Sequence, residues 1–575
     1  MKYLISTALG IIAATLSLSA EGYRYVVIPV EFQNTRFRNK TENVDAKIVR
    51  AQLYFNDQFS PRRTFSFDLL PVVTLQKDFS WYGENSTDLK DKRIDQLVRD
   101  ACNATGRDFS AYDNDGNGTV DNICIITAGS SEADGAGADW IWPQQAFLSE
   151  RGGAMTVGSK TIDSFSICAE SSGLGTFCHE FAHSFGLQDL YDTDGSGSGG
   201  TSTGVWGSLS IMDKGLENDG GNTPPNFSAI ELEQLGIGNP VAVKHGSNIL
   251  SPTGSSKEYI RLESDTKGEY FLLECRDASG WDAFAGGTGL IIYHIDRSAN
   301  GTGYSDYYKG YLDASERWQY NQANCSPAHQ CARVVAAVPG TGTIGQVFFP
   351  QQGHTSFGSE TQPPFRFWSG DTSGQAIDHI ERLSDGSISF NLLTPVTVKE
   401  ISTFQDAAII SWSVDNLLDV QDCEVQWSAD GSGSTGQTRS TKVSRQSDGN
   451  YFTVLEGLAP STRYKVVIRL ICSGGAVHSK AESFTTKTML RDMLPFIYLN
   501  SAERRVDGSF IYGDRLPLRV YNATDAVKVE WFFNEEPIQP DSDGFWRMKD
   551  SGILKAKVWY KDNSADIIAK TLIVR

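Results

Sequence analysis

The chain has 575 residues, enough for three or four domains of ordinary size. With 40% apolar and 11% aromatic residues it can build packed cores, which excludes a wholly disordered chain. Its 70 acidic against 51 basic residues leave a net charge of -19, a surface that repels phosphate backbones and argues against nucleic-acid binding, while suiting an exported protein that binds calcium.

Residues 1–20 read as a signal peptide. Lys2 is its single charge, an apolar run follows, and Ser17, Ser19 and Ala20 offer a small-residue cleavage site. No later stretch approaches the ~20 apolar residues of a membrane span, so the mature chain is expected to lack one and to be secreted. Residues 25–32 (YVVIPVEF) form a buried-type strand that starts about five residues after the cleavage point, leaving no room for a propeptide. Residues 44–59 and 89–104 have helical spacing, and in the second Ile94, Leu97, Val98 and Ala101 share a face. Residues 122–127 and 161–168 read as further strands, with a helix running through His183. Strand and helix alternate up to about 235, which predicts an α/β (α+β) domain over 21–238.

Beyond Gly238, strands separated by Gly-rich turns predict a β-rich domain over 239–394. Two β-sandwiches are expected after it. Over 395–487 the spacing of Leu458, Pro460, Thr462 and Tyr464 resembles the tyrosine corner of fibronectin type III units. Over 488–575 Trp531 is the candidate core tryptophan of an immunoglobulin-like unit. These modules are read as spacers or as contacts to a cell surface or matrix. Nine cysteines leave at least one unpaired. Cys325 and Cys331 are the easiest local bridge, and Cys423 and Cys472 a further candidate pair.

The chemistry concentrates in CHEFAHSFGLQD, residues 178–189. His179 and His183, four apart on a helix, face one way and can share one metal ion. Glu180 points past that ion and can take a proton from water held there. Gly186 permits a sharp turn that brings Asp189 beneath the metal as third ligand. Asp192, Glu217, Glu231 and Glu233 are the alternatives for that position. Two acidic, Gly-punctuated loops are calcium candidates: Asp113, Asp115, Asn117, Thr119 and Asp121 in the first, Asp192 and Asp194 in the second. His294 is read as structural, and Trp140, Trp142 and Trp206 as cleft-lining or packing residues.

HEFAHSFGLQD followed by SIMDKG resembles the metzincin metallopeptidases, with Asp in place of the usual third His. More narrowly it resembles the immune-inhibitor-A-like peptidases of family M6. That likeness extends through VVIPVEF, DFSAYDNDGNGTVDNICIITAG, EADGAGADWIWP, DLYDTDGSGSGG, GVWGSLSIMDKG, YFLLECR, GWDAF and GTGLIIYHID, about residues 24–394. The resemblance implies a zinc endopeptidase acting on proteins or peptides, with Met212 in a Met-turn beneath the zinc ligands. The expected chemistry is hydrolysis by zinc-activated water with Glu180 as general base. The competing expectations are a non-catalytic surface binding or adhesion protein with a structural metal, and a metal-dependent amidase acting on a non-protein amide.

Overall fold

The computed structural model describes residues 21–574 other than 88, 341–345, 431–438, 442–443, 446–449, 473–474, 489–493, 498, 500–508 and 511. The expected signal peptide, 1–20, lies outside the described residues. The chain divides into two compact units. Of the described residues, one takes in those up to Ala242 with Leu250–Gln351 and Arg382–Ile388, the other Val243–Ile249, Gln352–Glu381 and those from Ser389 onward. The β-rich stretch 239–394 therefore supplies segments to both.

The first unit is built on a mostly parallel sheet. Its strands are β1 (Glu21–Glu31), β2 (Arg63–Leu69), β3 (Ile123–Thr127), β4 (Gln144–Phe147) and β5 (Ser164–Ala169), in the order β2-β1-β3-β5-β4. β1, β2, β3 and β5 pair in parallel, and β4 closes one edge antiparallel to β5. Strands buried on both faces need apolar residues at successive positions, and β1 supplies them. Tyr25 and Val27 face one core with helices α1 (Ala46–Phe59) and α3 (Leu174–His183). Val26, Ile28 and Val30 face another with α2 (Ile94–Thr105). The result is a three-layer α/β/α arrangement.

Helix α2 begins five residues later than its periodicity predicts. Asp91 adopts φ 44°, outside the helical region, and its buried carboxylate accepts hydrogen bonds from Trp142 N (3.0 Å) and Gln144 Nε2 (2.9 Å). Those tertiary bonds hold residues 89–93 in an irregular path that the 3.6-residue pattern does not register.

Helix α4 (Ala229–Gln234) leads to a second, largely antiparallel sheet. Its strands β6 (Glu258–Glu263), β7 (Glu269–Arg276), β8 (Gly289–Asp296) and β11 (Ala332–Val334) pair in that order. Between β8 and β11 lie a short hairpin, β9 (Gly303–Ser305) and β10 (Gly310–Leu312), and helix α5 (Ala314–Gln319). Leu272, Ile291, Tyr293 and Ile295 join the same core as α1 and α3, so both sheets of this unit share one hydrophobic interior. A fully buried ionic network crosses it. Arg276 pairs with Glu274 (3.0 Å) and Asp282, and donates to Leu209 O (3.2 Å) on the segment that carries Met212. Each charge there has a partner, the condition for burying charge at tolerable cost.

The second unit contains β12 (Val396–Thr403), β13 (Ala407–Val414) and β15 (Tyr451–Glu456) in one sheet. β14 (Val420–Ala429), β16 (Arg463–Cys472), β17 (Gly475–His478) and β18 (Glu482–Thr485) lie in another. Trp412, Val425, Leu455, Tyr464 and Ile468 form a common core. The Tyr464 hydroxyl accepts a hydrogen bond from Ala459 N at 2.8 Å. Further on, β19 (Ala526–Phe533), β20 (Gly552–Tyr560) and β21 (Ala565–Leu572) are antiparallel, with Trp531 buried against Leu516, Met548 and Leu554.

All nine cysteines are unpaired, so the expected Cys325–Cys331 bridge is not formed. Both thiols are buried, and Cys331 Sγ lies against Ala314 O at 3.8 Å. Cys423 pairs with Leu470, whereas Cys472 pairs with Val420, so the register sets these two cysteines diagonally apart rather than opposite.

Candidate metal centre and active site

Helix α3 is fixed by its apolar side. Phe177 and Phe181 are buried, and the Phe181 ring meets Tyr25, Phe55 and Phe67 at centroid distances of 4.7, 4.9 and 5.0 Å in edge-on contacts. The helix also comes very close to the 3₁₀ turn that follows Met212. A Cβ added at Gly175 would lie 2.0 Å from Leu216 O, so only glycine fits there. With that side locked, His179 and His183 share another, their ring centroids 4.7 Å apart.

Both imidazoles are held by backbone carbonyls. His179 Nδ1 donates to Ile211 O (2.8 Å), and His183 Nδ1 donates to Leu187 O (2.7 Å). A carbonyl only accepts, so each Nδ1 carries the proton and each Nε2 lone pair is directed into the site. Gly186, at φ +87°, turns the chain after the helix and returns Asp189 to the imidazoles. Asp189 Oδ1 lies 3.2 Å from His179 Nε2 and 3.3 Å from His183 Nε2, and the two Nε2 atoms are 3.2 Å apart.

These three atoms make a nearly equilateral triangle. A divalent ion about 2.0–2.1 Å from each, in tetrahedral geometry, sets its ligands about 3.3–3.4 Å apart, which the triangle matches. Asp189 Oδ1 is buried and makes no hydrogen bond of sound geometry despite both nitrogens at van der Waals range. Three lone-pair atoms converging on one point, with one left orphaned, fit the donor set that a divalent cation such as zinc would take. Among the described residues, His179, Glu180 and His183 form a group whose donor atoms all lie within 4.8 Å of one another. Glu180 stands beside the triangle; the shorter distances belong to Asp189.

The electrostatics agree. Burial lowers the His179 pKa, but the close approach of the Asp189 carboxylate and the Glu180 charge overcome it and push it up to about 9. Burial opposes the Asp189 charge, yet the two imidazoles hold its carboxyl far below the usual range. The pocket thus calls for positive charge, which a proton supplies when no cation does. Burial raises the Glu180 pKa against the pull of both imidazoles, the direction that makes a carboxylate a better proton acceptor. Edge strand β4 packs against helix α3, and the backbone of Gln145 opposes the rise in the Glu180 pKa.

Two residues at this site carry no sequence motif. Asn321, just past α5, grips Asp189 twice: its Nδ2 donates to Asp189 Oδ2 and its Oδ1 accepts from Asp189 N, both at 2.7 Å. Tyr191 stacks on the His179 ring at 6.3 Å, and burial, then the Asp189 and Glu180 charges, push its phenol well up. Met212 is fully buried; its carbonyl accepts from Leu190 N (2.8 Å) and its N donates to Ser210 Oγ (2.9 Å), tying the turn to the ligand loop.

The alternative third ligands are engaged elsewhere. Both Asp192 oxygens accept backbone hydrogen bonds, from Asp194 N, Gly195 N and Ser202 N. Glu231 closes a capping box with Ser228 and also accepts from Ser210. Glu233 pairs with Arg261 and Tyr270, and Glu217 is exposed. In the loop 113–121, Asp113 Oδ2 pairs with Lys160 (2.5 Å) while its Oδ1 is buried without a hydrogen-bond partner. Asp115 and Asn117 accept from backbone N–H groups two residues on, and Asp121 accepts from Asn114 N. Thr119 lies on a two-residue strand. In the second loop, Asp194 Oδ1 is likewise buried and unpartnered. His294 is buried, stacked on Phe271 and bonded to Glu269 Oε1 (2.9 Å). Trp140 stacks on Phe79 at 3.8 Å, Trp142 takes Lys90 over its ring, and Trp206 packs against the main core.

Comparison with known proteins places this arrangement in a class. Residues 23–238 match the family described as immune inhibitor A peptidase M6, catalytic domain. Immune inhibitor A of Bacillus thuringiensis subsp. alesti is 28% identical over 222 residues, 32% of this chain and 31% of that protein. The pre-pro-metalloprotease PrtV of Vibrio cholerae serotype O1 is 26% identical over 235 residues, 35% of this chain and 25% of that protein. The matched region spans only about a quarter to a third of the length of these relatives. The α/β unit with its His-Glu-His helix is therefore similar to a metallopeptidase catalytic domain. The likeness to the M6 family of immune-inhibitor-A-like peptidases covers residues 23–238 of the chain.

Proposed function

We propose that the chain is a zinc-dependent endopeptidase, secreted after removal of residues 1–20, that hydrolyses peptide bonds of protein substrates. The observation that carries this reading is the triangle of His179 Nε2, His183 Nε2 and Asp189 Oδ1, with sides of 3.2 to 3.3 Å, beside a raised-pKa Glu180. When bound there, a zinc ion supplies a Lewis acid that polarises a peptide carbonyl and makes water more acidic. Glu180 accepts the proton of the attacking water at its carboxylate and delivers it to the departing amine. Ile211 O and Leu187 O hold the two imidazoles in the metal-binding tautomer. Strand β4, at the sheet edge and packed against helix α3, is the edge along which an extended peptide aligns.

Calcium is proposed for the loop from Asp113 to Asp121, and for Asp192 with Asp194. The buried, unpartnered Asp113 Oδ1 and Asp194 Oδ1 support it. Residues 395–487 are proposed as a fibronectin type III-like module and 488–575 as an immunoglobulin-like sandwich. The Tyr464–Ala459 bond and the buried Trp531 support these assignments. Among the described residues no helix is long and apolar enough to cross a membrane.

A Glu180→Gln variant tests the function. It is expected to keep one zinc per chain and to lose at least about a hundredfold in cleavage of an unfolded protein. Undiminished cleavage with zinc bound overturns the mechanism, and full zinc occupancy with no cleavage by the parent protein supports a purely structural metal.

A further inference from the structure

Five of the chain's 21 tyrosines fall within 17 consecutive residues, 304–320, and all five are exposed. Tyr304 and Tyr311 face each other across the β9–β10 hairpin, their rings 5.4 Å apart. Tyr307 and Tyr308 form its tip at 4.9 Å, and Tyr308 continues to Tyr320 at 5.1 Å. Tyr307 and Tyr311 are 73% and 74% exposed, more than any ring needs for ordinary half-burial. Contiguous aromatic surface on a folded domain marks an interaction site.

The platform is rigidly joined to the catalytic residues. Tyr320 immediately precedes Asn321, whose side chain holds Asp189 with two 2.7 Å bonds. The hairpin is pinned to the loop after Asp189 by Asp306 N donating to Ser198 Oγ (2.8 Å). Ser305 Oγ donates to Gln322 Oε1 (3.2 Å), and Gln322 Nε2 donates in turn to Thr193 Oγ1 (3.0 Å). Strand β4 packs against helix α3, which carries Glu180, while Asn321 holds Asp189 from the segment that bears the tyrosines.

We propose that Tyr304, Tyr307, Tyr308, Tyr311 and Tyr320 form a platform that binds extended polypeptide substrate a few residues from the scissile bond, receiving its aromatic and aliphatic side chains. Continuity with the site selects this occupant. The bonds of Asn321, Gln322 and Asp306 to Asp189 and the loop after it set the tyrosines beside the site. Tyrosine faces give large contact area at low entropic cost without reading a fixed sequence, which suits an endopeptidase that grips unfolded chains. The proposal rests on the peptidase reading above, so its test is built on binding rather than turnover.

The probe is reduced, carboxamidomethylated lysozyme, an unfolded aromatic-containing polypeptide. Its affinity is measured for the full chain carrying Glu180→Gln, alone and combined with Tyr307→Ser, Tyr308→Ser and Tyr311→Ser. The triple replacement is expected to weaken binding about tenfold or more, and the corresponding Phe triple to restore it to within about threefold. In the cleaving protein the same Ser triple is expected to raise KM for this substrate about tenfold with kcat changed less than about twofold. Equal thermal melts establish that the Ser triple is folded; should it not fold, Tyr307→Ser with Tyr311→Ser alone, the two most exposed rings, replaces it. Affinity unchanged within about twofold overturns the proposal. So does failure of the Glu180→Gln protein to bind the probe, or conversion of a dimer to a monomer by the Ser replacements, which would make the face a self-association surface. Absence of cleavage with tyrosine-dependent binding intact would sink the peptidase reading and leave the platform standing.

Discussion

Asn321 provides a sharp test of how Asp189 is held. It lies 132 residues along the chain from Asp189, yet forms two 2.7 Å hydrogen bonds with it, one to the Oδ2 not facing the imidazoles and one from the backbone N. Because Asn321 adopts φ +54°, Asn321→Gly removes the side chain without straining the backbone. A hydrogen bond to a charged acceptor contributes roughly 1.5–3 kcal/mol and a neutral one roughly 0.5–1.5. Water entering the vacated space offsets part of that. Loss of such outer partners commonly weakens a metal site 10- to 100-fold, or about 1.4 to 2.7 kcal/mol, and a value within that window is expected for zinc here. Asn321→Asp, which faces one carboxylate with another, should be worse than Asn321→Gly. Competition against a chromogenic chelator measures the affinity directly, without reliance on activity. Zinc affinity within about twofold of the parent, in a protein with an unchanged melt, would refute the reasoning.

Three further outcomes are expected. In the metal-free protein the His179 contribution to stability is complete below its unfolded pKa of ~6.5 and is lost as pH rises through about 9; zinc must displace that proton, so its affinity should fall about tenfold per pH unit below about 9, and a flat profile from titrations at pH 6, 7 and 8 would contradict this. Burial pushes Asp91 up to about 7, so its contribution is complete below ~4 and lost as pH rises through about 7; Asp91→Asn, neutral throughout, should stabilise the protein at pH 8 by as much as about 4 kcal/mol and remove that part of the pH dependence of chemical denaturation, whereas parallel pH profiles would count against it. Gly186→Ala meets no atom within 4 Å at its new Cβ but must hold φ +87°, so urea unfolding should show a loss of roughly 1–2 kcal/mol, together with weaker zinc binding as Asp189 is displaced; an unchanged midpoint would show that the turn does not need glycine.

Much of the fold was legible because buried strands leave continuous apolar runs. Residues 25–32 and 122–127 announce β1 and β3, although the pairing order β2-β1-β3-β5-β4 is a property of tertiary packing that no local pattern records. The start of α2 was misplaced because Asp91 is held by Trp142 and Gln144, partners some fifty residues away. At the site, His179, Glu180, His183, Gly186 and Asp189 lie within eleven residues, so helix periodicity and one glycine turn suffice to bring them together. Asn321 had no signal, since a side chain reaching across 132 residues shares no periodicity with its partner. Glu231 did have one. Ser228 three residues ahead of it spells a capping box, which accounts for its carboxylate without a metal. The tyrosines of 304–320 were equally visible as letters, but only their exposure and their attachment to Asn321 give them meaning.

The most direct test of the whole account is anomalous diffraction at the zinc edge from crystals of the intact chain. One peak is expected about 2.0–2.2 Å from His179 Nε2, His183 Nε2 and Asp189 Oδ1, with solvent rather than protein completing the tetrahedron beside Glu180. A peak elsewhere, or Asp189 Oδ1 beyond about 3 Å from it, would contradict the assignment of these three residues as the metal-binding set.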